Sequence, residues 1–230
     1  MTLDTLRMYL TPLAEGSAWT LALFFCSAFL AVALGLLVCL CRMSRSRLLS
    51  RLARGYIEII RGTPLLLQLF YIYYGLPEMG VVIDGFTAGV LGLTLNFGAY
   101  LAELFRSGIQ SVDAGQYEAA RALGLNRRQR LHRIVLPQAL RTVFPALGNY
   151  ALVLVKETSL VAVISVYELM RAGEMLAGAT FQALTVYTMV GIIYFVMCSV
   201  LSYVFRRSER RLTVPGYWSG AGENHDISKA

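Results

Sequence analysis

From Ser17 to Cys41 the chain runs for 25 residues without a charged side chain. About 20 mainly apolar residues suffice for one helix to cross the hydrocarbon core of a bilayer, so this run alone reads as a membrane-crossing helix. The whole chain agrees. It has 230 residues, 57% of them hydrophobic and only 15% charged, and a mean hydropathy of +0.58. These values favour a membrane protein over a soluble domain.

Four further stretches repeat the pattern. Residues 56–76 form a second candidate span, with Glu58 and Arg61 at its head and Gly62, Thr63 and Pro64 ahead of its apolar body. Gly85–Ala102 is uncharged and continues as "ELFRSGI", giving a third span over about 85–106. A fourth covers about 142–166 and is interrupted by Lys156 and Glu157. Met175–Phe205 lacks charge over 31 residues, enough for a fifth span at about 179–205 with a tilted or interfacial lead-in. The expectation is an all-α integral membrane protein with five transmembrane helices in a single domain over 1–212. The small, polar tail over 213–230 reads as disordered.

A formal charge of +7 raises nucleic acid as a partner, but its distribution speaks for lipid. Of the 21 basic residues, 17 are arginines in three segments: Arg42–Arg61, Arg106–Arg141 and Arg206–Arg211. Such flanking charge sets membrane orientation and contacts anionic lipid. Five spans with an external N-terminus bring all three segments to the cytoplasmic side. The other side then holds Asp4, Glu15, Glu78, Asp84, Glu168 and Glu174, with only Arg7 and Arg171. Cys26, Cys39, Cys41 and Cys198 lie in apolar runs without metal-ligand spacing. The N-terminus has no basic lead into a short apolar stretch, so the first span itself is expected to direct insertion.

One long polar insert interrupts this pattern, "EAARALGLNRRQRLHRIVLP" from Glu118 to Pro137. Within a connecting segment over 114–137, the sequence predicts a helix from Ala114 through Leu123 and a break at Gly124. A second helix follows from Asn126, its N-cap, to Val135, and Pro137 marks a turn into the fourth span. Ala119, Ala120 and Leu123 would make one small apolar face. Such an insert suits docking into a groove of another protein or resting on lipid headgroups. A helix-turn-helix reading DNA is disfavoured, because tethering between two spans leaves little room to enter a groove.

Polar groups inside spans are costly and point to a transport path. Asn96, Tyr100 and Glu103 share one face of the third span, as do Asn149, Lys156 and Ser159 on the fourth. Gln68 and Tyr71 lie three apart on the second. Convergence of these faces would supply donors and acceptors for a zwitterion. Each has a structural alternative: Gln68 and Asn96 as interhelical hydrogen bonds, Glu103 as the i,i+3 partner of Arg106. Lys156 and Glu157 are adjacent, point roughly 100° apart on a helix, and need different partners. Tyr71, Tyr73 and Tyr74 read as an interfacial aromatic belt.

Glu118, Ala119, Ala120, Gly124, Ile134, Leu136 and Pro137 match, at all seven positions, the cytoplasmic signature of bacterial ABC importer permeases. "RGTPLLLQLFYIYYGLP" from Arg61, "GAYLAELFRSGIQSVDAGQ" from Gly98 and "KETSLVAVI" from Lys156 narrow the resemblance. The chain resembles the polar amino acid branch of that family, with permeases for histidine, arginine, glutamine or cystine, over residues 17–212.

The resemblance implies a type I permease fold in a bacterial inner membrane. The insert would be a coupling helix, with Glu118, Ala119, Ala120 and Gly124 contacting the cleft of an ATP-binding subunit. It also implies a second permease, identical or related, two ATP-binding subunits, an external solute-binding protein, and alternating access for an amino acid. The match at Thr158 and Ser159 adds these residues to a pathway or gate with Lys156 and Glu157. This chain is expected to bind no cofactor. Neither lysine follows a glycine, so there is no phosphate-binding Gly-Lys loop, and ATP and Mg belong to the partner ATPase. Two other readings remain: an ion-coupled secondary transporter relaying through Glu103, Lys156 and Glu157, weakened by the lack of an inverted repeat, and a membrane scaffold that transports nothing.

Overall fold

Two Leu-Pro steps shape the chain trace. Proline lacks an amide hydrogen, and its ring collides with the carbonyl four residues earlier in an α-helix. A computed structural model describing residues 3–212 relieves both steps with a widened π turn. Tyr71–Gly75 precedes Leu76 and Pro77, with the Leu76 amide bonding back to the Tyr71 carbonyl. Leu131–Val135 precedes Leu136 and Pro137, with the Leu136 amide bonding to the Leu131 carbonyl. The turn that the sequence places at Pro137 is therefore not there: helix runs on into the fourth span. The tail over 213–230 lies outside the described residues.

All regular structure among the described residues is helical: α1 (Leu3–Arg42), α2 (Arg47–Arg61), α3 (Leu65–Phe70), α4 (Leu76–Glu78), α5 (Gly85–Gln110), α6 (Ala114–Ala122), α7 (Arg127–Arg130), α8 (Leu136–Glu157), α9 (Leu169–Thr180) and α10 (Ala183–Leu212). Among the described residues four runs are long and apolar enough to cross a membrane: Arg7–Arg42, Gly85–Gln110, Arg127–Ile164 and Ala183–Arg210. The stretch expected as a second span over 56–76 is not one helix. α2 starts upstream at Arg47, the chain breaks at Gly62–Pro64, and α3, a π turn and α4 follow. The last nine residues of the expected second helix before the fourth span likewise divide into α7 and the π turn.

Close glycine contacts define how the long helices run. A Cβ on Gly35 of α1 would lie 2.8 Å from the Leu101 Cβ of α5, and one on Gly98 of α5 would lie 2.8 Å from Leu34 of α1. Leu23, earlier in α1, borders Gly89, earlier in α5. The two helices are thus parallel. α8 runs the opposite way, with Val143 against Gly108 and Val161, just beyond its end, against Gly89. α10 is antiparallel to α8, with Phe205 against Gly148. Arg42, Arg106, Arg141 and Arg206 therefore gather at one end of the bundle, and Asp84 and Glu168 at the other. Leu23, Ala31, Leu69, Leu93, Leu101 and Ile164 fill the main core between them.

Because backbone and a core leucine meet Gly35, Gly35→Leu forces α1 and α5 apart. Overpacking of this kind costs about 1–3 kcal/mol. Thermal unfolding of the detergent-purified chain should show a lower Tm for this variant than for Gly55→Leu, since a Cβ at Gly55 meets nothing within 4 Å.

Candidate functional site

The polar insert folds into a helix with both ends fixed. Asp113 caps α6, its Oδ1 accepting from the Gly115 amide at 2.7 Å. At the other end Gly124 adopts φ +71°. Its amide donates to the Arg121 carbonyl at 2.9 Å, and the Leu125 amide to the Ala120 carbonyl at 3.1 Å. This pair of bonds is the Schellman closure, which favours glycine at the left-handed position. Asn126 and Gln129 then form a reciprocal capping box, each side chain accepting from the other's amide at 2.9 Å. The break at Gly124 and the cap at Asn126 fall where the sequence puts them.

The predicted small face divides. Glu118, Ala119 and Gly124 are exposed, as is Leu123 at 77%. Ala120 is instead buried. The outward surface of α6 is therefore Glu118, Ala119, Leu123 and Gly124, with Ala120 turned inward. It stands at the arginine-rich end of the bundle.

The polar residues expected along a path fall into four separate places. Gln68 is buried, and its Nε2 donates to the Ile60 carbonyl at 2.8 Å, the Thr63 carbonyl at 3.1 Å and the Thr63 Oγ1 at 2.9 Å. Its Oε1 accepts from Asn96 Nδ2 at 3.1 Å. These two residues hold the break before α3 against α5, which is the interhelical alternative. Glu103 pairs with Arg106 at 2.6 Å, again the structural alternative. Tyr100 carries the Arg61 guanidinium 5.1 Å over its ring and leans on Tyr150 of α8.

Lys156 and Ser159 line the third place. With Met170, Tyr187, Val190 and Tyr194 they border an open, mostly apolar cleft of about 430 Å³ between α8, α9 and α10. Ligand pockets span roughly 300–1,000 Å³, so the cleft admits a small molecule. Lys156 is exposed and Glu157 half-buried. Thr158 is buried and its hydroxyl donates to the Val155 carbonyl at 2.7 Å, so it closes the end of α8. Ser159 donates to the Lys156 carbonyl at 2.7 Å. Asn149 lies elsewhere, in a small crevice beside Phe144 and Phe205.

Glu168 is the polar residue that sequence reasoning missed, being assigned only to the acidic side. It is fully buried and caps α9, accepting from the Met170 and Arg171 amides at 2.8 Å each. Tyr194 of α10 donates to its Oε2 at 3.0 Å and Thr20 of α1 at 3.4 Å. One carboxyl thus joins α1, α9 and α10 behind the cleft that Tyr194 lines. Burial pushes this carboxyl above its usual range, against the pull of the two amides and the two hydroxyls. The only visible sequence signal was a glutamate one residue ahead of an apolar helix.

Comparison with known proteins places this architecture. The family model for the binding-protein-dependent transport system inner membrane component matches residues 28–214. The chain belongs to this family. It is 39% identical to the arginine transport system permease protein ArtQ of Bacillus subtilis (strain 168), over 86% of this chain and 91% of that one. It is 38% identical to the glutamine transport system permease protein GlnP of Escherichia coli (strain K12), over 88% and 93%. The crystal structure of an amino acid ABC transporter with histidines superposes with a TM-score of 0.85 at 41% identity, covering 92% of this chain and 100% of that chain. An inward-facing MetNI methionine ABC transporter shares the fold, with a TM-score of 0.76 at 21% identity. The protein is thus an inner-membrane ABC permease of the amino acid kind.

Two expectations follow for this permease. At Gly124 a Cβ meets open space, so any penalty comes from the left-handed backbone, which costs most residues roughly 1–2 kcal/mol and asparagine less. Gly124→Ala should accelerate hydrogen exchange at the Leu125 amide about tenfold, and Gly124→Asn much less. For Glu168 the raised carboxyl contributes stability that is complete below its ordinary value near 4.5 and is lost as pH rises through the folded value. Glu168→Gln removes this dependence. Relative to that variant, the parent's Tm should be higher at pH 4.5 than at pH 8.

Proposed function

We propose that this chain is the membrane-embedded half of an ATP-driven importer for a polar amino acid, working by alternating access. It crosses the membrane five times, with α2, α3 and α4 together making the second crossing and the N-terminus outside. The exposed α6 surface receives a cytosolic ATPase that holds ATP and Mg. A second permease copy or paralogue and an external solute-binding protein complete the assembly. The observation that carries this reading is α6 itself: a short helix fixed at both ends, with Glu118, Ala119 and Gly124 outward, at the arginine-rich end of a permease-family bundle. Small residues allow close approach of a partner, and rigid ends pass its movement to α5 and α8.

A ligand shifts such an equilibrium only through different affinity for its two states. Nucleotide-driven closure of the ATPase supplies that difference through α6. At the far end of α8, the Lys156 ammonium is placed to meet a substrate carboxylate in the cleft, with Ser159 as a hydroxyl neighbour. The pairing of Glu103 with Arg106 speaks against a proton or ion relay from Glu103 to Lys156 and Glu157. The shared lineage with amino acid permeases speaks against a silent scaffold.

Reconstitution in liposomes with its ATPase and solute-binding protein tests the reading. Uptake of labelled arginine, glutamine or histidine should require ATP and ignore an imposed ion gradient. Gly124→Trp should abolish uptake while membrane insertion and abundance stay unchanged. Lys156→Gln should raise KM about tenfold or more, the loss expected for a hydrogen bond to a charged group. Uptake that persists without the ATPase would sink the proposal.

A further inference from the structure

The first polar connection presents a surface that the transport cycle above does not use. Ser50 locks α2 to the end of α1: its Oγ accepts from Arg42 Nη1 at 3.1 Å and donates to the Arg42 carbonyl at 3.0 Å. Held this way, α2 shows three faces about 120° apart at the 100° advance of an α-helix. Ala53 and Ile57 are buried in the bundle. Leu48, Leu52 and Ile59 form an exposed apolar stripe, at 67%, 63% and 67% exposure. Arg47, Arg51 and Arg54 form an exposed basic stripe, with Arg45 just ahead of it.

Among the described residues no ion pair balances this charge. Glu58 is the only acid on α2, and the ion pairs among the described residues involve none of these arginines. Exposed apolar side chains also mark the outer face of α1 at the same end, at Leu36, Leu37 and Leu40, and Met43 just beyond it. An apolar face merging with a spanning helix meets acyl chains, and an adjoining row of guanidinium groups then sits at phosphate level. Guanidinium groups hold phosphate by paired hydrogen bonds.

We propose that α2 is a binding site for anionic glycerophospholipid, with Arg47, Arg51 and Arg54 holding headgroup phosphates and Leu48, Leu52 and Ile59 in contact with the acyl chains. The charge complements an anionic lipid better than a zwitterionic one, so the site selects phosphatidylglycerol over phosphatidylcholine. It also anchors the start of the broken crossing, through which Arg61 reaches Tyr100.

The test uses the full chain purified in detergent and offered an equimolar mixture of phosphatidylglycerol and phosphatidylcholine. Retained lipid is counted by native mass spectrometry. The parent should retain phosphatidylglycerol in excess. The triple variant R47Q/R51Q/R54Q should lower the retained ratio about tenfold or more, since each basic residue near the surface contributes severalfold. The triple variant R127Q/R128Q/R133Q, which removes the same charge elsewhere, should change it less than twofold. R47K/R51K/R54K should keep most of the preference, and added salt should weaken it in the parent. These last two arms stand even where the glutamine variant folds poorly. An unchanged ratio in R47Q/R51Q/R54Q, an equal loss in the control triple, or a salt-insensitive preference would overturn the proposal. So would an unchanged ratio accompanied by loss of a bound soluble protein, which would assign the face to that protein.

Discussion

In a hydrocarbon environment a backbone amide or carbonyl has no water to turn to, and this requirement governs the irregular parts of the chain. Four interruptions of the helix ladder carry a remedy of their own. Proline at 77 and at 137 removes a donor and crowds a carbonyl, and a π turn rebuilds the bonding just before each. The break at Gly62–Pro64 frees carbonyls at Ile60 and Thr63, and the Gln68 amide takes both. Where α8 gives way to a 3-10 helix over Thr158–Ile164, the hydroxyls of Thr158 and Ser159 bond back to carbonyls three residues earlier. Several residues that look like substrate ligands by type are backbone partners by position.

That distinction explains what could be read in advance. Length and the absence of charge are one-dimensional properties, so the apolar runs and the helical class were legible. Local end signals were legible too, since Gly124 and Asn126 act through bonds to residues within five positions. The second crossing was not: hydropathy over 56–76 cannot report that α2 begins at Arg47 on an amphipathic pattern. Nor can a lone proline announce whether it ends a helix or widens it. Ala120 differs from Ala119 only in which side of α6 it takes, and that depends on the elements packed beneath. Gln68 with Asn96, and Glu168 with Thr20 and Tyr194, are joined across 28, 148 and 26 residues. No single window contains such pairs.

The two ends of the bundle use polarity differently. At the arginine-rich end, charges stay exposed or pair along one helix, as Glu103 does with Arg106, leaving surfaces open to other molecules. At the opposite end the Glu168 carboxyl is drawn wholly inside and shared among three helices. Tyr194 belongs to both that buried junction and the wall of the cleft, so the shape of the cleft depends on the junction. α8 spans the distance between the outward α6 surface and that cleft, and in the proposed transport cycle it is the mechanical link between them.

The π turn at Leu131–Val135 has a consequence for that link. It takes up one residue more than an α turn over a similar advance, so α8, which follows it, is twisted about its own axis by about 100° relative to an uninterrupted helix. This angular offset is what directs Ala139 and Val143 towards α5 and opens Lys156 towards α9 and α10. Excising one residue there would keep the hydropathy profile of the segment and still point every later side chain at the wrong neighbour.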